Sequence, residues 1–203
     1  MQFDPNTLDE ARIHHLMADS IVPRPIAWVT TKNEDGSTNL APFSFFMGIC
    51  PDPPLCAIAV SKRERGDALE IKDTRRNIER TGELVIHTVP ASELERMNQS
   101  SADHAYGVDE LELGGLTALP SERVDAARIA EAPIAMECRA ERTLELGDSG
   151  TALIVCRIVF WHVADAVVSA SRIDFDKLDA VGRIGTSGYS YTRERIKLVR
   201  PRV

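Results

Sequence analysis

The stretch VPRPIAWVTTKNEDGSTNLAPFSFF, residues 22–46, predicts a β-hairpin with one ordinary strand and one unusual strand. Residues 26–32 are rich in β-branched and aromatic side chains, and residues 33–37 supply the turn. The return strand carries small or polar residues where a core strand would carry Val, Ile or Leu: Asn39, Ala41, Pro42 and Ser44. Because Pro42 has no backbone N–H, this strand is expected at a sheet edge or bulge, and we interpret it as the floor of a ligand site.

The remaining chain continues as one domain, residues 1–203, because that length supports a single sizeable core and no break in composition calls for a second. Residues 1–20 predict an N-terminal helical extension, with a short helix from Asp9 to Met17. Residues 102–131 predict an irregular excursion across the surface. Gly82 marks where a helix in the charged stretch would stop. Apolar or periodic runs predict strands at 55–60, 84–89, 134–146 and 151–168, and a helix at 91–101.

The strand predicted at residues 151–168 is apolar on both faces, since even-numbered residues such as Ile154 alternate with odd-numbered ones such as Trp161. Such a strand is expected to be buried on both faces, which supports a homodimer because a barrel of this size has limited interior. Strands joined mostly by hairpins, without regular alternation with long helices, predict a mainly β fold, an antiparallel barrel with peripheral helices.

Composition and charge exclude several classes of function. The chain has 24 basic and 31 acidic residues, a net charge of −7 and no dense run of Lys and Arg, which argues against nucleic acid or an anionic membrane as partner. There is no charged-then-apolar leader and no apolar run of about 18 residues, so a soluble cytoplasmic protein is expected. The four cysteines and five histidines lack metal-ligand spacing, and the cysteines are interpreted as reduced and mostly buried.

Two further segments carry polar groups that suit a phosphate. Ser61-Lys62 follows the predicted strand 55–60, and Lys72 precedes Asp73 or Thr74, either of which is a good helix N-cap. A helix N-terminus beside Lys72 predicts a phosphate site. The alternative is that these charges only solvate a surface helix.

The glycines near the C-terminus do not form a dinucleotide loop, because GRIGTSGY, residues 182–189, lacks the G-x-G-x-x-G spacing and a surrounding βαβ unit. A loop carrying Arg183 and Tyr189 is the remaining interpretation.

Together, these blocks resemble the flavin reductase-like family, especially its flavoredoxin-type branch, over residues 20–190. The resemblance rests on RPIAWVTT (24–31), NLAPFSFF (39–46), Pro53-Pro54, Lys72-Asp73-Thr74 with Asn77-Ile78, and Gly182-Arg183 before Tyr189. It implies an FMN-binding antiparallel split β-barrel, a homodimer with flavin near the interface, and reduction by NADH or NADPH. FMN is the expected flavin, with FAD as the alternative.

The same resemblance implies which positions bind the cofactor, and it implies no catalytic residue because the flavin itself carries the hydride chemistry. The residues expected to line the isoalloxazine are Trp28, Thr30 and Thr31 from the first strand and Asn39, Leu40, Ala41, Pro42 and Ser44 from the second. Those expected to hold the ribityl chain and phosphate are Ser61, Lys62, Lys72, Thr74 and Asn77, with Arg183 and Tyr189 covering the site. The alternatives are core packing for Trp28 and Phe43, water-facing edge positions for Thr30 and Ser44, a surface charge for Lys72, and structural hydrogen bonding for His87 and His162.

Three functions remain open from the sequence. The leading hypothesis is an FMN-binding oxidoreductase that uses NADH or NADPH and serves a flavin-dependent monooxygenase or an electron-transfer protein. The second is a flavoredoxin-like electron carrier whose bound FMN is reduced by a partner protein and not by a nicotinamide. The third, a haem or pyridoxal phosphate pocket, is disfavoured for haem because no histidine falls in the matched blocks.

Overall fold

The computed structural model describes residues 1–65 and 68–201, in which strands outnumber helices. The strands are β1 (Arg24–Pro25), β2 (Ala27–Lys32), β3 (Thr38–Phe43), β4 (Phe46–Pro51), β5 (Pro54–Val60), β6 (Arg63–Arg65), β7 (Ala68–Glu70), β8 (Glu83–His87), β9 (Ala118–Leu119), β10 (Arg128–Ile129), β11 (Ile134–Leu146), β12 (Thr151–Val163), β13 (Val168–Ser169), β14 (Arg172–Ile173), β15 (Val181–Ile184) and β16 (Gly188–Tyr191). The helices are α1 (Glu10–Ser20), α2 (Asp73–Thr81), α3 (Leu94–Gln99), α4 (Glu110–Leu113) and α5 (Phe175–Leu178), with 3-10 turns at Pro5–Thr7, Ala91–Glu93 and Asp165–Val167. The prediction of a mainly β chain with peripheral helices is confirmed.

A seven-stranded antiparallel sheet in the order β3-β2-β8-β11-β12-β5-β4 forms the centre of the fold. The opening hairpin is β2 and β3, whose register places Trp28 opposite Pro42 and Thr31 opposite Asn39. Strand β3 lies at one edge, as Pro42 predicts, and β4 lies at the other. Because these two edges do not pair with each other, the sheet is not closed.

Both faces of this sheet are covered by apolar side chains. On one face Val29, Ile58 and Ile154 belong to one buried cluster; on the other, Trp28 and Leu40 belong to a second cluster. The excursion 102–131 supplies part of that second cluster through Leu111, Leu116 and Ile129. Most residues of the excursion are exposed or half-buried, and these few buried apolar residues anchor it to the core.

The long hairpin of β11 and β12 also differs from its prediction. Strand β12 ends at Val163 and a 3-10 turn follows, so the strand does not extend to Val168. Leu144, Leu146 and Trp161 are between 46% and 49% exposed, so the strand pair is not buried on both faces within one chain. Strand β8 pairs only with residues 135–139 of β11, so the turn end of the hairpin, which carries Leu144 and Leu146, extends beyond β8.

His87 joins the sheet to the excursion and must be neutral to do so. Its Nδ1 lies 2.9 Å from the Trp28 carbonyl oxygen, and its Nε2 lies 3.0 Å from the Ile129 backbone nitrogen. The Ile129 N–H can only donate, so Nε2 accepts and Nδ1–H donates to Trp28. Burial lowers the pKa of this fully buried imidazole to about 4. The structural interpretation of His87 agrees with these contacts.

This geometry predicts a loss of stability in acid. The unfolded chain takes up the His87 proton near pH 6.5 and the folded protein only near pH 4, so stability falls as pH falls through that window, by up to about 3 kcal/mol. Urea unfolding at a series of pH values measures this effect. In His87→Gln that part of the pH dependence is expected to disappear, whereas in exposed His15→Gln it is retained; equal pH slopes in all three proteins would contradict the assignment.

The four cysteines are free thiols, of which Cys56, Cys138 and Cys156 are buried and Cys50 is half-buried. This confirms the expectation of reduced, mostly interior cysteines. In the ranges 1–65 and 68–201 no helix is both long and apolar enough to cross a membrane.

Candidate functional site

Two adjoining cavities open along the second half of the β3 edge. We call them the aromatic cavity, about 230 Å³, and the polar cavity, about 100 Å³. Pro42, Phe43 and Ser101 line both, so the two cavities adjoin at these residues, and we refer to the pair as the cleft. The polar, Pro-containing strand therefore lies at a ligand-sized cleft, as the sequence suggested.

Three of the segments that line the aromatic cavity supply its aromatic rings and one of its cations. The end of β3 and the following turn contribute Phe43 and Phe45, α1 contributes His14, and the β15–β16 hairpin contributes Arg183 and Tyr189. The His14 and Phe45 ring centroids are 6.1 Å apart, and the Arg183 guanidinium carbon lies 4.6 Å from the centroid of the Tyr189 ring. Aromatic faces with cations nearby suit a planar ligand that carries negative charge.

Arg24 holds these segments together. Its guanidinium donates to the carbonyl oxygens of Ala18 at 2.5 Å, Ile21 at 2.9 Å and Gly185 at 2.6 Å, and to Ser44 Oγ at 3.3 Å. Burial, and then the positive charge of Arg183, lower the pKa of Arg24 from its ordinary value. Arg24 is thus a structural clamp whose side chain joins α1, β3 and the β15–β16 turn.

The polar cavity surrounds the N-terminus of α2. The residues that line it include Asn39, Arg63, Lys72, Asp73, Thr74 and Glu110. The N-cap is Lys72 and no side chain caps the helix, so the prediction that Asp73 or Thr74 is the N-cap is wrong. The first helical N–H that bonds to Lys72 O is that of Arg76, which leaves the preceding N–H groups outside the helical ladder.

The carboxylate of Asp73 does not cap the helix because two arginines bind it. Arg63 approaches it with both terminal nitrogens, at 3.2 and 3.3 Å, and Arg76 does so at 3.2 Å. Arg63 Nε is the buried side-chain polar atom, within residues 1–65 and 68–201, for which no hydrogen-bond partner is found. Glu70 Oε2 is 3.6 Å from it, too far for a hydrogen bond. Arg63 Nε is therefore a buried atom beside Glu70, and the contact of Arg63 with the polar cavity does not depend on it.

A buried amide and hydroxyl network fixes the wall behind this cavity. Asn39 Nδ2 donates to Thr31 Oγ1 at 3.0 Å and to Thr74 Oγ1 at 2.9 Å. Asn77 Nδ2 donates to the same Thr31 oxygen at 3.0 Å and to Asn33 Oδ1 at 2.7 Å. Because both amide hydrogens of Asn39 are used, its Oδ1 is the atom that can accept from a ligand.

Glu110 is the acidic group of this wall that stands out. Its Oε2 accepts the Leu40 backbone N–H at 2.5 Å, which ties the first turn of α4 to β3. Burial raises the pKa of Glu110 to about 7; the Leu40 hydrogen bond and Arg63 oppose that rise, and Asp73 and Asp109 add to it. A carboxyl that titrates near neutral pH inside a cleft is a candidate functional group.

The structure distributes the sequence-predicted residues over three kinds of position. Those that line the aromatic cavity are Pro42, Ser44, Ser61 and Arg183, and those that line the polar cavity are Asn39, Ala41, Pro42, Lys72 and Thr74. Thr31 and Asn77 lie behind the polar cavity in the buried network. The residues that line neither cavity are Trp28, Thr30, Leu40 and Lys62.

The residues outside the cavities have other partners. Trp28 is fully buried and its Nε1 donates to Ser100 Oγ at 2.9 Å, and Thr30 Oγ1 donates to the Ala127 carbonyl at 2.5 Å. Leu40 packs in the second core cluster. Lys62 lies over Gly150 in the β11–β12 turn, where a Cβ would stand 2.7 Å from the lysine Cε. Ser61 and Lys62 therefore lie outside the polar cavity that Lys72 lines.

Sequence reasoning did not assign a ligand-lining role to several residues of the cleft. These are His14, Arg24, Phe45, Arg63, Ser101 and Glu110. Arg24 and Phe45 stand in the blocks that carried the resemblance, so their proximity to Pro42 was available as a signal. His14 and Glu110 reach the cleft through long-range packing of α1 and the excursion, for which no local pattern exists.

The cleft fits a ligand that combines a planar ring system with a phosphate. The aromatic cavity offers ring faces, and the polar cavity offers Lys72 and uncapped helix N–H groups. Of the residues the structure describes, no three His, Cys, Asp or Glu side chains are arranged to hold a metal ion.

A protein-family model and several solved structures match this chain. The family model for a flavin reductase like domain matches residues 18–177. The crystal structure of nitrilotriacetate monooxygenase component B from Bacillus cereus shares 33% sequence identity, covers 98% of each chain and superposes with a TM-score of 0.90.

Two more distant structures concern the fold alone. A structure with a split barrel domain from Shewanella frigidimarina is 24% identical, covers 99% of this chain and 100% of its own, and has a TM-score of 0.83. Flavoredoxin of Desulfovibrio vulgaris is 21% identical, covers 88% of this chain and 91% of its own, and has a TM-score of 0.76. The predicted antiparallel split β-barrel is confirmed.

Proposed function

Because the chain belongs to the flavin reductase-like family, we propose that it is an FMN-binding oxidoreductase that accepts hydride from NADH or NADPH. The observation that carries the proposal is the pair of adjoining cavities, in which an aromatic cavity and a helix N-terminus beside Lys72 share the wall formed by Pro42 and Phe43. One cavity suits an isoalloxazine, and the other suits a ribityl phosphate.

In this arrangement the polar cavity holds the phosphate end. Lys72 supplies charge, and the uncapped N–H groups at the start of α2 supply donors. The Thr31–Asn39–Thr74 hydrogen bonds hold this wall rigid, so little ordering is needed when the ligand binds. FMN is favoured over FAD because the polar cavity, about 100 Å³, is small.

The aromatic cavity then places the reacting ring. A bound flavin supplies hydride transfer without a protein acid or base. The chain's own residues exclude water with Phe43 and Phe45 and present Arg183 to an anionic electron donor. We extend the proposal to delivery of electrons to a flavin-dependent monooxygenase or an electron-transfer protein.

A flavin titration tests the proposal. Purified protein is expected to quench the fluorescence of added FMN at micromolar concentration and then to oxidise NADH or NADPH. Absence of binding by both FMN and FAD would overturn it.

Lys72→Met gives a more specific prediction. Because a lysine contact with phosphate is a charge-assisted interaction, FMN affinity is expected to fall by about 10- to 100-fold while riboflavin affinity stays within about twofold. The matched control is Lys177→Met, an exposed lysine on α5 outside both cavities. An equal loss for FMN and riboflavin would mean that Lys72 does not contact the phosphate.

A flavoredoxin-like electron carrier is the second candidate, and the geometry of the aromatic cavity favours it. The cavity of about 230 Å³ holds a ring but is small for a dinucleotide, and Arg183 already donates to Tyr189 and to the Thr186 carbonyl. Under this alternative, bound FMN is photoreducible yet is not reduced anaerobically by either nicotinamide. Rapid nicotinamide oxidation would exclude it.

We also propose that the protein is a homodimer with flavin near the interface. The support is the exposed leucines Leu144 and Leu146 at the turn end of the β11–β12 hairpin, with a further exposed apolar residue, Trp161, at its other end, which a second copy would cover. Sedimentation as a monomer at micromolar concentration would contradict this part of the proposal.

A further inference from the structure

Glu110 lies on the wall of the polar cavity, and the role that we infer for it depends on the proposed function. It begins α4, in the excursion that sequence patterns predict to be irregular, and it shares the cavity wall with Lys72, Asp73 and Thr74. Its Oε2 accepts the Leu40 N–H at 2.5 Å, so the carboxyl group is held at this place by the backbone of β3. The same cavity is the one assigned above to the flavin phosphate.

The charged groups around Glu110 come from each neighbouring segment. On its own element Asp109 caps α4, with its carboxylate accepting from Glu112 N at 2.9 Å and Thr38 N at 3.0 Å, and Glu112 is exposed. The other charged groups are Lys72 and Asp73 from α2, Arg63 from β6 and Asp103 from the loop before α4. Strand β3, residues 38–43, carries none.

The charged groups around Glu110 do not favour its ionised form over its protonated form. Arg63 is already engaged by Asp73, which leaves Lys72 as the remaining cation of the cavity wall. With Glu110 ionised, the wall carries the carboxylates of Asp73, Asp103 and Glu110 before any ligand arrives. A phosphate placed among them meets a like charge at Glu110.

We infer that Glu110 couples flavin mononucleotide binding to proton uptake: the phosphate is accepted when the Glu110 carboxyl is protonated and is disfavoured when it is ionised. In the protonated form the carboxyl is an O–H donor to a phosphate oxygen, and its other oxygen keeps the bond from Leu40 N. In the ionised form it repels the phosphate across a cavity of low dielectric. Glu110 is thereby a specificity-determining residue for ligands that carry phosphate.

The direction of the pH effect follows from linkage. Burial raises the pKa of Glu110 to about 7, so the group changes charge in the physiological range. A bound phosphate raises that pKa further, because it favours the protonated form. Affinity for FMN should therefore fall as pH rises above 7, with a limiting slope of about tenfold per pH unit.

The test compares two ligands and three proteins. Dissociation constants for FMN and riboflavin are measured by fluorescence quenching from about pH 6 to about pH 9, in wild type, Glu110→Gln and Glu112→Gln. Gln keeps an oxygen for Leu40 N and removes the titration, and Glu112 is an exposed residue of the same helix. The second ionisation of the FMN phosphate, near pH 6, is common to all three proteins and cancels in the comparison.

The expected result is a wild-type FMN affinity about tenfold weaker at pH 8.5 than at pH 6.5, a flat profile for Glu110→Gln, and a wild-type profile for Glu112→Gln. Riboflavin, which lacks the phosphate, should bind without this dependence in all three. Identical FMN profiles in wild type and Glu110→Gln would overturn the inference while leaving the flavin site intact. Failure of both flavins to bind at every pH would overturn the proposed function and the inference with it.

Calorimetry on the wild-type protein provides a check that needs no variant. FMN binding near pH 7.5, measured in buffers of different ionisation enthalpy, should take up a measurable fraction of one proton, whereas riboflavin binding should take up none. Proton uptake of zero for FMN would overturn the inference.

Discussion

Replacing Glu137 with Ala is expected to lower the free energy of unfolding by about 3–5 kcal/mol, because three hydrogen-bonding groups lose their buried carboxylate partner at once. Glu137 is fully buried on β11 and accepts the backbone N–H groups of Glu122 at 2.7 Å and Arg123 at 2.6 Å. His162 Nε2 approaches the same carboxylate at 2.5 Å. Alanine would leave two backbone donors and one imidazole unpaired at the point where the excursion meets the sheet.

Denaturant unfolding and thermal melting measure this effect. At about 2–4 °C per kcal/mol for a chain of this size, the melting temperature should fall by about 10 °C. The matched control is Glu141→Ala on the same strand, whose carboxylate pairs with the half-exposed Arg157; it should cost less than about 1 kcal/mol. A loss below about 1 kcal/mol in Glu137→Ala would mean that the excursion is held by its apolar contacts alone.

The same carboxylate adds to the acid sensitivity of the fold. Burial alone would raise the pKa of Glu137, but the Glu122 and Arg123 N–H groups and His162 outweigh burial and lower it. A lowered pKa contributes stability above the unfolded pKa, and that contribution is lost as pH falls through the folded pKa. Glu137 and His87 therefore act in the same direction, because both stabilise the attachment of residues 122–129 to the sheet at neutral pH and lose that contribution in acid.

Local patterns predicted the elements whose evidence is contiguous. The β2–β3 hairpin follows from a β-branched run, a Gly-containing turn and Pro42, and the structure places all three as expected. The start of α2 was predicted wrongly because a residue outside the local pattern decides it. Asp73 is a good N-cap by residue type, but Arg63, ten residues earlier, binds its carboxylate and the helix begins uncapped after Lys72.

The residues of the candidate site differ in the same way: local sequence identifies some of them, whereas others depend on distant contacts. Asn39 and Pro42 could be identified because strands rarely carry such residues without a reason, and both line the polar cavity. Glu110 could not, since its significance depends on Leu40, seventy residues earlier in the chain, and on the burial that α4 brings. For Trp28 the sequence left two interpretations, contact with the flavin and core packing, and its indole packs in the core and bonds to Ser100.

Arg24→Met is expected to lower the free energy of unfolding by about 3–5 kcal/mol and to release α1 from the cleft, because four hydrogen bonds from one cation end together. Each of these bonds involves a charged donor, typically about 1.5–3 kcal/mol, although water can replace Arg24 as the partner of the carbonyl of the exposed Ile21. Methionine keeps the length and the apolar stem, so the loss reports the guanidinium and not a cavity. Lysine should not rescue the variant, since its point charge cannot match the fork that reaches Ala18, Gly185 and Ser44.

Hydrogen exchange distinguishes this clamp from a general loss of stability. In Arg24→Met the amides of α1 and of the β15–β16 turn should exchange at least about tenfold faster relative to those of β8. These two segments can then open without breaking hydrogen bonds to Arg24. The control is Arg183→Met, which loses bonds only within its own hairpin, to Tyr189 and Thr186, and should leave α1 protected. Since Lys72 belongs to the other cavity, the preference for FMN over riboflavin should persist in Arg24→Met while KM for the electron donor rises. Unchanged protection of α1 in Arg24→Met would show that the helix is held by its apolar face, and the aromatic cavity would then owe its shape to packing and not to this arginine.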